Sequence, residues 1–249
     1  MNMTGKSVLV TGGASGIGRA IVLAFAERGA NVALTHITSD PAETLDKART
    51  FGGKHLALRA DLRDEAQVET VFAKAISALG GLDVLVANTG GLIQRSRTVD
   101  MSLALWDEVM AVNLTSTFLC CRAALRHMEP RKTGTLILIS SLAGHNGGGP
   151  GATHYGASKG AMITYTRGLA KEVGPLGIRV NGIAPGLIAT RFHDNFNTPE
   201  GRSSAVAMTP LRREGTAEDV AGAAMFLASD QAAFLAGETI EVNGGAGLY

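Results

Sequence analysis

The sequence predicts an α/β fold, a doubly wound parallel sheet with helices on both faces, and three observations predict it. Short apolar runs alternate with amphipathic runs along the chain; strands that alternate with helices pair in parallel, because each crossover returns the chain to the same end of the sheet. The 32 glycines gather behind the apolar runs, at a share well above the usual ~7 %, and so mark places where backbone closely approaches something else. Finally, 249 residues with 45 % hydrophobic content can bury one full core. No internal repeat, low-complexity tract or linker divides it, so residues 1–249 are expected to form a single domain.

Ser7 to Thr11 is the first strand, followed by Gly12-Gly-Ala-Ser15-Gly16-Ile17-Gly18 and an amphipathic helix to about Arg28. Such a turn aims free backbone N–H groups and the positive helix end at a phosphate, and its glycines admit a pyrophosphate, so these residues are expected to hold a dinucleotide. The spacing is G-x-x-x-G-x-G, not G-x-G-x-x-G, and a plain strand-to-helix turn is the competing reading. A strand near Asn31 to Thr35, a helix over Pro41 to Phe51, a strand over His55 to Ala60, a helix over Asp64 to Leu79 and a strand over Asp83 to Ala87 continue the alternation.

Ligands of such sheets lie beyond the carboxyl ends of the strands. The second strand ends in Thr35-His36-Ile37-Thr38-Ser39, where an NAD site ordinarily places a carboxylate for the ribose 2′-hydroxyl. None stands there, and the donors, His36 among them, favour the 2′-phosphate of NADP(H), with NAD(H) as the other candidate. Asp61, before Leu62, reads either as an acceptor for the adenine amino group or as the cap of the next helix. Asn88-Thr89-Gly90-Gly91 closes the fourth strand as a polar glycine turn.

A long helix from about Ser102 to Met128 carries Trp106, Met110, Leu114 and Phe118 on one stripe, a packing or subunit surface. Asn113 interrupts it, either as a buried amide that needs partners or as the holder of a water linking Lys159 to solvent. The strand Thr135 to Ile139 then delivers Ser140 and Ser141 at its carboxyl end. A helix from about 153 to 174 puts Tyr155 and Lys159 on one face, one turn apart. A phenol has an ordinary pKa of about 10, and a neighbouring ammonium favours the phenolate, so this pair can exchange a proton with an alcohol or carbonyl while Ser141 holds the substrate oxygen. The same stretch contains Gly156-Ala-Ser158-Lys-Gly160, the G-x-S-x-G of a hydrolase elbow. That elbow needs an apolar strand before it, whereas a glycine loop and His154 precede it here.

Net charge is +1, with both signs interspersed, which leaves no electrostatic footprint for nucleic acid or an anionic membrane. No apolar stretch reaches the ~18 residues of a membrane span. Met1 to Lys6 is too short and polar for a signal peptide, so a cytoplasmic protein acting on a small molecule is expected. Cys120 and Cys121 are adjacent in a helix, unsuited to a disulfide and without metal-ligand spacing, and no metal is expected.

Jointly, Thr11-Gly12 through Gly18, Asp61-Leu62, Asn88-x-Gly90, Asn113, Ser141, Tyr155-x-x-x-Lys159, Pro185-Gly186 with Thr190, and Val242-Asn243-Gly244-Gly245 resemble the short-chain dehydrogenase/reductase family, in its branch of about this length. The resemblance covers nearly the whole chain. It implies a Rossmann-type sheet, an NAD(P)(H)-dependent interconversion of a secondary alcohol and a carbonyl, and a tetrad of Asn113, Ser141, Tyr155 and Lys159. In that tetrad Tyr155 is the acid/base, Lys159 holds the nicotinamide ribose and lowers the tyrosine pKa, Ser141 positions substrate and Asn113 maintains the proton relay. Pro185, Gly186, Ile188 and Thr190 would lie along the nicotinamide and its phosphates, Asp61 and Leu62 near the adenine. The resemblance further implies a homotetramer and a substrate-covering lid at about 188–215, with Phe192, His193, Asn195 and Phe196 in it; an ordinary surface loop is the other reading. Ala87-Asn88-Thr89-Gly90 departs from the family's usual Asn-Asn-Ala-Gly and changes the lining near the substrate. Arg95, His145, His154 and His193 are the candidates to touch substrate, Arg95 by pairing a carboxylate unless it is simply solvated. Loose similarity to members that reduce keto-deoxy sugar acids favours a small polar or sugar-acid substrate. The alternatives are a 3-oxoacyl carrier-protein reductase and a dinucleotide sensor without turnover.

Overall fold

The computed structural model describes residues 1–190, 192, 196 and 198–249. Seven strands, β1 (Ser7–Val10), β2 (Asn31–His36), β3 (His55–Arg59), β4 (Val84–Ala87), β5 (Gly134–Ile139), β6 (Ile178–Pro185) and β7 (Thr239–Val242), form one sheet in the order β3-β2-β1-β4-β5-β6-β7. Every pairing is parallel, with Val8 opposite Val32 on one side and Val84 on the other. The order reverses between β1 and β4, which opens a crevice at their carboxyl ends.

Side chains alternate across the sheet as the two-residue strand period requires. Leu9, Leu85, Leu136 and Leu138 face helices α3 (Glu65–Leu79), α5 (Ser116–Met128) and α7 (Thr153–Val173), meeting Phe72, Leu119 and Met162. Val8, Val10, Val84, Val86, Ile137 and Ile139 lie on the side of α1 (Gly16–Glu27), α2 (Ala42–Arg49) and the last helix, in one cluster with Ile21, Phe25, Ala48 and Val220. Burying each such aliphatic or aromatic side chain contributes about 1.5–3 kcal/mol, which explains why these strands are almost wholly apolar. Cys120 and Cys121 are part of this packing and fully buried; desolvation pushes the Cys121 thiol up to about 12, so both are inert core residues.

Three departures from the sequence reading bear on the site. The expected long helix is α4 (Leu103–Met110) joined to α5 by a π-helical stretch over Ala111–Thr115. Such wider turns insert an extra residue and re-aim side chains at functional positions. The glycine loop after β5 contains a one-turn helix, α6 (Ala143–Asn146). The segment expected as a lid or a surface loop holds α8 (Pro199–Met208), started by the Thr198 side chain accepting from Gly201 N and by proline at its first position. The last helix, α9 (Ala217–Ala228), opens with a capping box between Thr216 and Asp219.

Candidate active site

The turn after β1 is built for an anion by what it lacks. Gly12 and Gly16 take φ of +64° and +52°, and a Cβ on Gly18 would stand 2.2 Å from Gly12 O, so only glycine lets α1 begin this close to the strand. The first turn of α1 has no acidic residue and the Ser15 side chain does not cap it. Its leading N–H groups and the positive helix end therefore face the crevice. Thr11 and Asn88 brace the turn: Thr11 Oγ1 accepts from the N–H groups of Asn88 and Thr89 at 2.9 Å each, and Asn88 Nδ2 donates to Thr11 O at 2.9 Å.

From this turn a cleft of about 720 Å³ runs to the ends of β5 and β6. Gly12, Ser15, Gly16, Ile17, Gly18, Asn88, Gly90, Ser141, Tyr155, Lys159, Pro185, Gly186, Ile188 and Thr190 all line it. Its size and its glycine cradle fit a nicotinamide dinucleotide.

At the far end, Ser141 and Tyr155 line the cleft together, and the Ser141 hydroxyl accepts from Ala143 N at 3.1 Å, so backbone sets its direction. Lys159 Nζ donates to Ile139 O at 2.8 Å and lies 5.8 Å from the centre of the Tyr155 ring. Asn113, fully buried, holds the loop after β4: Nδ2 donates to Gly91 O at 2.8 Å and Val109 O at 2.9 Å, and Oδ1 accepts from Gly91 N at 3.0 Å. A Cβ on Gly90 would meet Asn113 Oδ1 at 2.6 Å and Lys159 Nζ at 3.0 Å. Asn113 thus sits behind Gly90 as a satisfied buried amide, off the cleft wall.

Electrostatics depart from the sequence expectation. Burial pushes the Tyr155 phenol above its ordinary value, with the neighbouring Ser141 hydroxyl pulling the other way. Burial also lowers the Lys159 ammonium to about 7. The Lys159 ammonium donates to Ile139 O, and Lys159 is not among the causes of the phenol's shift.

Several expected contacts lie away from the wall. The His36 ring turns back to within 3.1 Å of Ser39 O. The Asp61 carboxylate is taken by Arg63 at 2.6 Å, Asp64 and not Asp61 caps α3, and Leu62 is core. Arg95 donates to Phe196 O at 3.0 Å and Pro150 O at 2.8 Å, so both of these bonds go to main chain. His154 is fully buried, with Nε2 3.0 Å from Gln94 O. His145 stacks on Tyr249 and stands 2.8 Å from Glu241; burial raises the Glu241 carboxyl, with His145 pulling the other way. His193 and Asn195 lie outside the described residues. Ser158 is buried and its hydroxyl donates to Tyr155 O at 2.8 Å, which removes the hydrolase reading. Gly156 and Gly160 serve close packing instead, since Cβ atoms there would meet Gly147 O at 2.5 Å and Gly144 O at 3.0 Å.

Sequence reasoning missed Arg19, Asp40 and Glu43, which line the opposite end of the cleft. Asp40 follows directly on the stretch that was searched for a carboxylate. Nothing in the sequence could have singled out the Ile139 carbonyl, a main-chain acceptor. Phe192 also lines the cleft, 5.9 Å from the Tyr155 ring with Phe196 5.1 Å behind it. Among the described residues there is no cluster of metal-ligating side chains and no helix long and apolar enough to cross a membrane.

Comparison with known proteins agrees with this geometry. A family model described as Enoyl-(Acyl carrier protein) reductase matches residues 12–247. The 3-oxoacyl-[acyl-carrier-protein] reductase FabG of Escherichia coli (strain K12) is 38 % identical over 245 residues, covering 98 % of both chains. A 7α-hydroxysteroid dehydrogenase, solved with NADH and 7-oxo glycochenodeoxycholic acid, superposes with a TM-score of 0.94 at 35 % identity, over 98 % of this chain and 95 % of that one. Levodione reductase superposes at 0.95 with 30 % identity over the whole of both chains. With matches of this extent, and a tyrosine, a lysine and a serine gathered where the sheet opens, the chain belongs to the short-chain dehydrogenase/reductase family of oxidoreductases.

Proposed function

We propose that this enzyme moves hydride reversibly between a nicotinamide dinucleotide and the carbonyl carbon of a small ketone, with Tyr155 exchanging the proton. The observation that carries this reading is the convergence of Ser141, Tyr155 and Lys159 on the wall of the cleft that begins at the glycine turn. A bound nicotinamide supplies or accepts the hydride. The chain's own part is the proton: in reduction Ser141 holds the substrate oxygen while the phenol donates to it, and in oxidation the phenolate takes the proton back. A phenol raised by burial is in its donor form near neutrality, which suits reduction.

The far end of the cleft bears on which dinucleotide is used. Asp40 and Glu43 face it together with Arg19, and Glu43 already neutralises that guanidinium at 2.5 Å. The expectation of NADP(H) rested on residues 35–39 having no carboxylate and several hydrogen-bond donors, His36 among them; Asp40 turns that balance toward NAD(H), whose neutral ribose hydroxyls can donate to a carboxylate. For the substrate, Phe192 and Phe196 give the described wall beside Tyr155 an aromatic character, while Arg95 is engaged with two backbone carbonyls. Both observations support a ketone with an apolar face beside its carbonyl over a sugar acid. The identity to FabG favours one further reading, reduction of a 3-oxoacyl thioester on a carrier protein. Exposed Leu103, Trp106 and Phe118 on α4 and α5 support a homotetramer, which sedimentation would measure.

The test is purified protein with NADH or NADPH against apolar cyclic ketones, a keto sugar acid and a 3-oxoacyl thioester, followed at the nicotinamide absorbance. Oxidation of NADH by the cyclic ketones is expected. Tyr155→Phe should lower kcat by about 10³ or more while the Kd for NADH stays within about threefold. Tight NADH binding with no turnover on any compound would make the protein a sensor and end the proposal.

A further inference from the structure

His145 lies off the cleft wall, yet it is gripped from two sides. It belongs to α6, which starts two residues after Ser141, and α6 presents its Ala143 N–H to Ser141 Oγ at 3.1 Å. A turn of α6 therefore turns the hydroxyl with it. One helical turn cannot hold itself in water, so the position of α6 depends on its neighbours.

The segment after β7 is one of them. The Tyr249 ring lies flat on the His145 imidazole, with centroids 4.3 Å apart and planes within 7°. His145 Nε2 stands 2.8 Å from Oε1 of Glu241 on β7, a close contact without the alignment of a hydrogen bond. The other Glu241 oxygen accepts from Asn243 Nδ2 at 3.0 Å, and the same nitrogen donates to Gly247 O at 2.8 Å. This curls residues 243–247 against the Ser141 loop: a Cβ on Gly247 would stand 2.6 Å from Leu142 Cδ1. On its other side the segment meets the chain leaving α8. Leu211 N donates to Gly244 O at 3.2 Å, and Cβ atoms on Gly244 and Gly245 would meet Thr209 at 2.7 Å and Pro210 at 2.9 Å.

We infer that the segment after β7 is a positioning clasp for the substrate end of the site: Tyr249 and Glu241 hold His145 and, through α6, aim Ser141, while Gly244 and Gly245 seat the exit of α8. None of these residues lines the cleft, so the role is positional. The inference rests on the reading that Ser141 orients the substrate oxygen. Misplacing such a group costs rate, because reaction needs a narrow approach geometry. The dinucleotide cradle at Gly12 to Gly18 is built on β1 and α1 and makes no use of the clasp.

The experiment compares wild type, Tyr249→Ala, Tyr249→Phe and Glu241→Gln by backbone hydrogen exchange over 141–149 without cofactor, by NADH affinity, and by kcat and KM for the best ketone. In Tyr249→Ala, exchange over 141–149 should speed up about tenfold and kcat should fall about tenfold, with the Kd for NADH unchanged. Glu241→Gln should shift the same readouts in the same direction. Tyr249→Phe should behave as wild type, since the stack needs the ring and not its hydroxyl. Unchanged exchange in Tyr249→Ala, a phenylalanine variant as loose as the alanine one, or a parallel loss of NADH affinity would each overturn the clasp. Should wild type turn over no ketone at all, the proposed function falls while hydrogen exchange still decides the clasp.

Discussion

The turn after β1 and the loop after β5 occupy equivalent places, each carrying the chain from a strand end into the crevice, but they are made of different material. The first is backbone. Its working parts are N–H groups and absent side chains, and Gly18 has no room for even one carbon. The second works through side chains, with the Ser141 hydroxyl aimed by Ala143 and the Tyr155 phenol opposite it. Glycines occur in both, for different reasons. Gly18 is glycine for want of space, whereas Gly147, at φ +81° with nothing within 4 Å of a Cβ, is glycine for backbone conformation. A site half made of backbone binds by shape common to many dinucleotide proteins; a half made of side chains selects its substrate.

Substituting the two glycines breaks that comparison most directly. Gly18→Ala should weaken NADH binding ~100-fold or more, because overpacking against main chain cannot relax cheaply. Gly147→Ala should cost only about 1 kcal/mol of stability from left-handed strain and leave NADH affinity unchanged. Titration of intrinsic fluorescence and thermal melts measure both; equal effects on affinity would erase the distinction.

A second test sharpens the side-chain half. Lys159 is 3 % exposed and its ammonium is lowered by burial to about 7. A group whose folded pKa lies below its unfolded value adds stability as pH rises between the two, because there the unfolded chain binds more protons. Between pH 7 and about 10, wild type should therefore gain stability relative to Lys159→Met, by up to about 4 kcal/mol. Denaturant titrations across that range check it, and a gap that stays constant would mean the folded protein keeps this ammonium protonated throughout, its pKa not lowered by burial.

The smallest effect belongs to the exposed rim. Asp40→Asn should shift the ratio of kcat/KM for NADPH over NADH upward by about threefold to tenfold, modest because water and salt screen an exposed carboxylate. A ratio that does not move would take Asp40 away from the ribose.

The same division explains how much could be read beforehand. The strand–helix alternation, the glycine turn and the one-turn step from Tyr155 to Lys159 are local patterns with a physical period, and the structure has all three. Asn113 was expected either as a buried amide or as the holder of a water, and its partners come from Gly91 and Val109 through a π-helical turn, which no periodicity announces. His36 looked like a donor at the strand end, yet its ring folds back to Ser39 O, while Asp40 and Glu43 reach the cleft. Arg95 has the right charge for a carboxylate and finds backbone carbonyls instead. Which way a surface side chain turns depends on packing many residues distant, and sequence proximity holds no record of that.

Where α7 meets α6, Gly156 and Gly160 bring main chain against main chain, with no intervening methyl to act as a bearing. Such contact holds the reacting helix firmly, while the single turn of α6 beside it still takes its aim from the segment after β7. An engineer seeking a different substrate would therefore do better to recarve Phe192 and Phe196 at the mouth than to shift the reacting helix, whose footing is fixed by contact too bare to adjust.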